Sequence, residues 1–220
     1  MSKYASSPRP NPRIAALKGW IQEQHLQDKT IAAYGKQFQK NTPFPHVLIK
    51  DFLVKKQIDF LKNALEKLVF EKKDSDLFSF AQTSDLSRST SFVFGSLHTM
   101  LSSSYFLKSL QEIAGLPKLK PVVDLHAIRF TKTCYLLPHD DTLDDRKVAY
   151  VLYLSSLAKK QGGALEFFSV NGQRPIKIVK SYPCLENSLM LFAVSRQSVH
   201  HVAEVVDETE RLTLGGWFHG

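Results

Sequence analysis

Four residues carry types and spacing that could do metal chemistry. His139 and Asp141 form an H-x-D pair inside HDDTLDD at 139–145. His200 follows on a later segment, and Arg211 opens the apolar stretch RLTLGGWF. Two imidazoles and one carboxylate can occupy one face of Fe(II), leaving the other positions open for a cosubstrate and oxygen. An arginine near such a metal can hold a carboxylate through two parallel hydrogen bonds. An H-x-D pair alone is common and has a plain alternative, an incidental His in a solvated acidic turn. The ordered set of H-x-D, distal His and late Arg is much rarer.

The neighbouring residues leave some choices open. In extended backbone, residues i and i+2 face the same way, so His139 and Asp141 could present nitrogen and oxygen to one ion. Pro138 and the acidic turn after them put the pair at a strand end. Asp140 is a competing carboxylate whose side chain should point away from His139. His200 has a rival in His201, and alternation along HHVAEV puts one inside and one outside without saying which. A buried Arg211 needs an anionic partner, because an unpaired buried charge is expensive. Its plain alternative is an exposed strand end paired with Glu208 or Glu210. Thr213 lies two residues on, on the same face. Tyr153 could donate its hydroxyl to the same ligand or simply fill the core. His46, His98, His126 and His219 lack a comparable acidic neighbour and read as structural or surface residues.

The elements that must position these groups change character along the chain. Residues 1–13 are rich in Pro, Ser and Arg and read as a mobile arm. A helical pattern runs over 14–40 through Ile14, Leu17, Trp20, Ile21, Ile31, Ala32, Tyr34 and Phe38, and Asn41-Thr42-Pro43 breaks it. A short strand over 43–53 and an amphipathic helix over 55–69 follow, the latter with Ile58, Leu61, Leu65 and Leu68 on one face. Residues 75–94 read as irregular or extended. A helix over 96–114 ends at Gly115 with Pro117 just beyond. After Pro121 the pattern is strands: 123–131, 147–155, 163–170, 177–182, 188–194, 200–205 and 211–218, separated by turn residues. Helices followed by about seven short strands predict one domain, mainly β, with helical support over 14–120 and a β core over 121–220.

Composition sets outer bounds. The chain has 220 residues, enough for one sizeable domain, and 43% of them are hydrophobic. Its longest apolar runs are far too short to span a bilayer. MSKYASSPRPNPR has no apolar core of a secretory signal. Cys134 and Cys184 form no C-x-x-C, which argues against a disulfide framework or thiolate zinc site and fits a reducing compartment. A cytoplasmic protein is expected, and also a nuclear one if the source is eukaryotic. The net charge of +8 suggests acidic partners. No basic run interleaved with aromatics marks a nucleic-acid groove, so direct nucleic-acid binding has no support beyond that charge.

Over residues 43–220 the sequence resembles the catalytic domain of the ribosomal-protein prolyl 3-hydroxylases, a branch of the iron- and 2-oxoglutarate-dependent oxygenases. The matching pieces are PFPHVLIKDFL, FSFAQTSDL, FTKTCYLLPHDD, Arg146 followed by VAYVLYL, the Gly-Gly before LEFF, and SVHHVAEV with RLTLGGWFHG. The resemblance implies a double-stranded β-helix, or jelly roll. It favours His200 over His201 and makes His139, Asp141 and His200 iron ligands. Arg211 would then pair with the far carboxylate of 2-oxoglutarate, aided by Tyr153 and Thr213. It implies Fe(II), with 2-oxoglutarate and oxygen as cosubstrates and ascorbate as an auxiliary reductant. The substrate implied is a protein with a target proline, a small-subunit ribosomal protein first. Phe130 departs from the pattern, standing where relatives place a cosubstrate-contacting tyrosine. Those relatives also continue into a second, catalytically silent barrel domain, so this chain is a stand-alone homologue or a fragment. Two other readings stay open: the same chemistry on another side chain or small molecule, and a non-catalytic ribonucleoprotein-binding barrel.

Overall fold

The computed structural model describes residues 11–143 and 145–220. Residues 1–10 of the expected arm lie outside the described residues. Residues 11–13 are not arm: Asn11 caps helix α1 (Pro12–Leu17) by accepting from the Arg13 amide, and Pro12 takes the first turn, where its missing N–H costs nothing. Arg13 is buried and paired with Asp28 and Glu112, each at 2.8 Å.

The helical pattern over 14–40 is two helices, α1 and α2 (Asp28–Lys40). The break has a cause: Ile21 bridges to Leu53 and the Gln22 amide bonds to Phe52, which pulls the chain out of the helix. Strand β1 (His46–Ile49) and helix α3 (Lys55–Leu65) match expectation. Residues 71–82 form a hairpin, β2 (Glu71–Ser75) and β3 (Phe78–Gln82), inside the region expected to be helical support. The helix expected over 96–114 is split into α4 (Phe92–Leu101) and α5 (Ser104–Ala114), because the Ser103 hydroxyl caps a new start by accepting from the Phe106 amide. Gly115, at φ 67°, ends α5 in the left-handed conformation that suits glycine.

The β core comprises β4 (His126–Phe130), β5 (Tyr135–His139), β6 (Arg146–Tyr153), β7 (Leu165–Asn171), β8 (Arg174–Tyr182), β9 (Leu189–Ala193), β10 (His200–Val202) and β11 (Arg211–His219). Strand β5 was not anticipated as an element. The strands join one antiparallel sheet in the order β1-β9-β6-β11-β4-β3-β5-β10-β7-β8, with β2 on β3. The sheet curls, so its two faces bury different residues. Val148, Tyr150, Leu152, Leu189, Leu191, Leu212 and Leu214 pack against the helices. Their sequence neighbours Ala149, Tyr153, Met190 and Phe192 face the interior of the curl with Phe167 and Phe130. Period-2 alternation with both faces covered explains why β6, β9 and β11 read as unbroken apolar runs. It also puts Tyr153, Arg211 and Thr213 on the interior face. This is the jelly-roll architecture with helices against one sheet.

Candidate active site

β5 and β10 lie side by side with His139 directly opposite His200. The ring centroids are 4.2 Å apart. Asp141 joins them by a route the sequence did not show. It is not in extended backbone but at φ 60°, so a left-handed turn after β5 swings its carboxylate back. Asp141 Oδ1 is 3.4 Å from His139 Nε2, and Oδ2 is 3.4 Å from His200 Nε2. The three ligand atoms fall within 4.8 Å of one another, a spacing one ion can bridge.

The tautomers follow from the backbone. His139 Nδ1 donates to the Leu137 carbonyl at 2.9 Å, and His200 Nδ1 donates to the Ser198 carbonyl at 2.7 Å. A carbonyl only accepts, so Nδ1 carries a proton in each ring and Nε2 is the nitrogen turned to Asp141 and the ligand site. The Phe192 ring, 4.7 Å from His200, fixes the imidazole from the interior. Burial would raise the Asp141 pKa, but hydrogen bonds to the two imidazoles outweigh it and hold the carboxylate far below its ordinary range. Burial likewise opposes charge on His139, and the hydrogen bond to Asp141 overrides it, so that pKa is raised. Asp140 accepts from the Thr142 amide within its own turn and is not aimed at the site.

The same cleft, about 170 Å³ in volume, is lined by His139, Asp141 and His200 and also by Arg211 and Thr213. Arg211 is 2% exposed. Neither acidic neighbour reaches it: Glu208 pairs with Lys132 at 2.8 Å and Glu210 with Arg129 at 2.9 Å. Among the described residues no carboxylate lies within ion-pair distance of Arg211, and its Nε has no hydrogen-bond partner. The Tyr153 hydroxyl is also buried without a partner. Burial pushes the Tyr153 pKa up to about 12, so it stays a donor. Thr213 stands directly opposite Tyr153 on the interior face. Phe130, opposite Arg211, offers a ring 5.1 Å from the guanidinium instead of a hydroxyl.

Five of the six residues singled out from sequence line the cleft, and Tyr153 lies behind them with its ring 5.3 Å from the Arg211 guanidinium. His201 turns outward, as alternation required once His200 turned in. Sequence reasoning missed how Gly163 serves the arginine. At φ 69°, its position for a Cβ is 3.3 Å from Arg211 Cδ and 3.0 Å from Leu157 Cδ2, so glycine leaves the side chain room to lie flat. It also missed Arg146, whose guanidinium sits 3.4 Å over the Trp217 ring on the cleft wall. Of the histidines expected to be structural or surface, His126 lines the cleft. His46 is buried and bonded to the Phe44 carbonyl and the Tyr182 hydroxyl, and His219 contacts Asp124 at 3.1 Å.

Residues 125–219 match the family described as the 2OG-Fe(II) oxygenase superfamily. The chain is 36% identical to prolyl 3-hydroxylase OGFOD1 of Xenopus laevis over 222 residues, covering 94% of this chain and 42% of that protein. It is 34% identical to the Mus musculus protein of the same name, over 81% of this chain and 33% of that one. The chain therefore spans less than half the length of the curated relatives it matches. Among solved structures, a Pseudomonas putida prolyl-4-hydroxylase superposes with a TM-score of 0.66 at 18% identity, over 86% of this chain and 98% of that one, which shows a shared fold. The donor set fits the ion that the family name carries, and the orphaned Arg211 and Tyr153 fit a carboxylate-bearing cosubstrate. Sequence similarity and fold meet on the strands that carry His139, Asp141, His200 and Arg211, and residues 125–219 carry a 2OG-Fe(II) oxygenase domain.

Proposed function

We propose that this chain is an Fe(II)- and 2-oxoglutarate-dependent prolyl hydroxylase acting on a protein substrate. The observation that carries the cosubstrate is Arg211: a buried guanidinium without an acidic partner, in the cleft that also holds the ligand triad. An unpaired buried charge costs several kcal/mol, so a ligand carboxylate that completes the pair binds with the benefit of charge-assisted bonds. Tyr153 and Thr213 add hydroxyls on the same face. His139, Asp141 and His200 would hold iron, which would supply the oxidising chemistry for placing an oxygen atom on a C–H bond. The protein's own part is to orient the two imidazoles, to seat the distal carboxylate, and to exclude water through Phe130, Phe167 and Phe192.

The prolyl substrate rests on the relatives' names and on the similarity that spans nearly the whole chain. The Trp217 indole, with a buried Nε1 that has no partner among the described residues, provides a flat wall and an N–H donor in the cleft that holds the triad. Such a wall suits a compact, rigid ring and its adjoining carbonyl. A small-subunit ribosomal protein met on an assembled or assembling particle, in the cytoplasm, is the proposed target. The +8 charge supports approach to RNA-bearing particles over approach to a free basic protein. Ascorbate is proposed as the auxiliary reductant.

The experiment is oxygen-dependent conversion of 2-oxoglutarate to succinate by purified protein, with and without prolyl peptides, read beside intact-mass analysis of ribosomal proteins from cells with and without the gene. The reading predicts peptide-stimulated succinate and one ribosomal protein heavier by one oxygen atom. Turnover with no ribosomal protein shifted would leave the oxygenase and remove the ribosomal target.

A further inference from the structure

The metal ligand His200 stands on the shortest strand of the core. β10 has three residues, and its pairing with β5 shifts register between His200 and Val202. Side chains in this part of the sheet form two rows. The inner row runs His139, His200, Phe167 and Lys180 across β5, β10, β7 and β8. The outer row, one residue along, runs His201, Glu166 and Ser181 across β10, β7 and β8. Glu166 uses both carboxylate oxygens in that row. Oε2 is 2.8 Å from His201 Nε2, and Oε1 accepts from the Ser181 hydroxyl at 2.7 Å. The Phe168 ring meets His201 edge-on at 5.1 Å. The His201 and Glu166 side chains are each only 18% exposed.

The row is not a hydrolytic site, because Ser181 donates to Glu166 and has no contact with His201. Its position suggests another task. A slip of one residue in a strand turns every side chain to the opposite face. In β10 that would carry His200 out of the cleft and His201 into it. Backbone bonds from Phe168 to Val199, from Ala203 to Ala164 and from Val205 to Cys134 flank β10, but within its three residues the pairing with β5 is irregular. A side-chain chain fastened to two neighbouring strands adds resistance at the residue beside the ligand.

We infer that His201, Glu166 and Ser181 are positioning residues, a register clamp on the outer face that holds the neighbouring imidazole of His200 in its ligand geometry. The inference rests on the reading of His200 as a metal ligand. It also gives the two adjacent histidines separate jobs.

The test is Co(II) binding to the purified full chain, followed by calorimetry and by the visible absorption of the bound ion, with thermal unfolding of the metal-free protein alongside. His201→Ala should weaken Co(II) binding by about 10-fold, the low end for groups that orient metal ligands, and change the absorption bands. His201→Gln can still donate to Glu166 and should restore most of the affinity and the spectrum. Glu166→Ala should match His201→Ala, and the double variant should lose no more than either single one. Ser181→Ala should show a smaller loss. His200→Ala, the control, should lose binding altogether. Wild-type affinity and spectrum in His201→Ala and Glu166→Ala, with binding lost in His200→Ala, overturns the clamp and leaves the metal site standing. Normal binding in His200→Ala removes the metal reading itself. If His201→Ala does not fold, unchanged affinity and spectrum in Ser181→Ala and Glu166→Ala overturns the clamp.

Discussion

The two ends of the cleft treat charge in opposite ways. At one end Asp141 is fastened to two imidazoles, and every ring nitrogen of His139 and His200 has a defined direction. At the other end Arg211 and Tyr153 are buried more deeply, yet the Arg211 Nε and the Tyr153 hydroxyl have no hydrogen-bond partner among the described residues. A fold that only needed stability would pair both ends. Glu208 and Glu210 are adjacent in sequence and are instead engaged with Lys132 and Arg129. The triad end is therefore arranged for an ion, whereas the arginine end is arranged for an anion that none of the described residues supplies.

The largest effect is expected at the triad end. His139→Ala and His200→Ala should each lose metal affinity by more than the roughly 10–100-fold that outer-shell changes cost, because a ligand itself is removed. Metal titration of folded variants checks this. Binding retained in His200→Ala and lost in His201→Ala would reverse the assignment of the neighbours.

A smaller effect should separate the ends. Gly163→Ala places a Cβ against Arg211 Cδ and Leu157 and holds a non-glycine residue at positive φ. It should cost about 1–2 kcal/mol of stability, from the left-handed conformation. It should also weaken 2-oxoglutarate binding severalfold while leaving metal affinity unchanged. Denaturant unfolding and two separate titrations would show this. Equal losses of both ligands would mean the ends are not independent.

The smallest effect lies away from the cleft and gives a baseline. Burial lowers the pKa of His46 from its ordinary 6.5, with the Lys180 charge acting the same way. The unfolded imidazole accepts a proton near pH 6.5 while the folded one resists it, so acidification favours the unfolded chain. Stability from His46 is present above that pH and falls as the pH drops through it, with a slope of at most about 1.4 kcal/mol per pH unit. His139 has a raised pKa and acts with the opposite sign. The comparison is therefore made between wild type and His46→Gln, whose unfolding free energy should fall less steeply from pH 6.5 downward.

What was legible in the sequence follows the same division. Most strands of the β core, and the shared face of Arg211 and Thr213, were readable because alternation is a local rule; which face lies inside was not. The choice between His200 and His201 was not, because alternation is symmetric until register is known; β5 and β7 on either side supply it. Asp141 was placed in the right site for a wrong local reason, since its left-handed turn leaves no mark in an H-x-D spacing. The hairpin at 71–82 was hidden because β2 is exposed throughout and carries alternating charges with no apolar face. The helix breaks at Ile21 and Ser103 depend on Leu53, Phe52 and a hydroxyl cap, contacts that periodicity does not encode.

On the proposed function, Arg211 completes the cleft by taking the far carboxylate of a 2-oxo acid. The most direct test is anaerobic calorimetric titration of the metal-loaded chain with 2-oxoglutarate and with 2-oxobutanoate, which keeps the chelating end and lacks the far carboxylate. A charge-assisted pair worth roughly 1.5–3 kcal/mol predicts that wild type prefers 2-oxoglutarate by about 10- to 150-fold. That preference should collapse in Arg211→Ala and recover only in part in Arg211→Lys, whose ammonium cannot form the fork. Equal affinity for the two acids in wild type, or an undiminished preference in Arg211→Ala, would contradict the account.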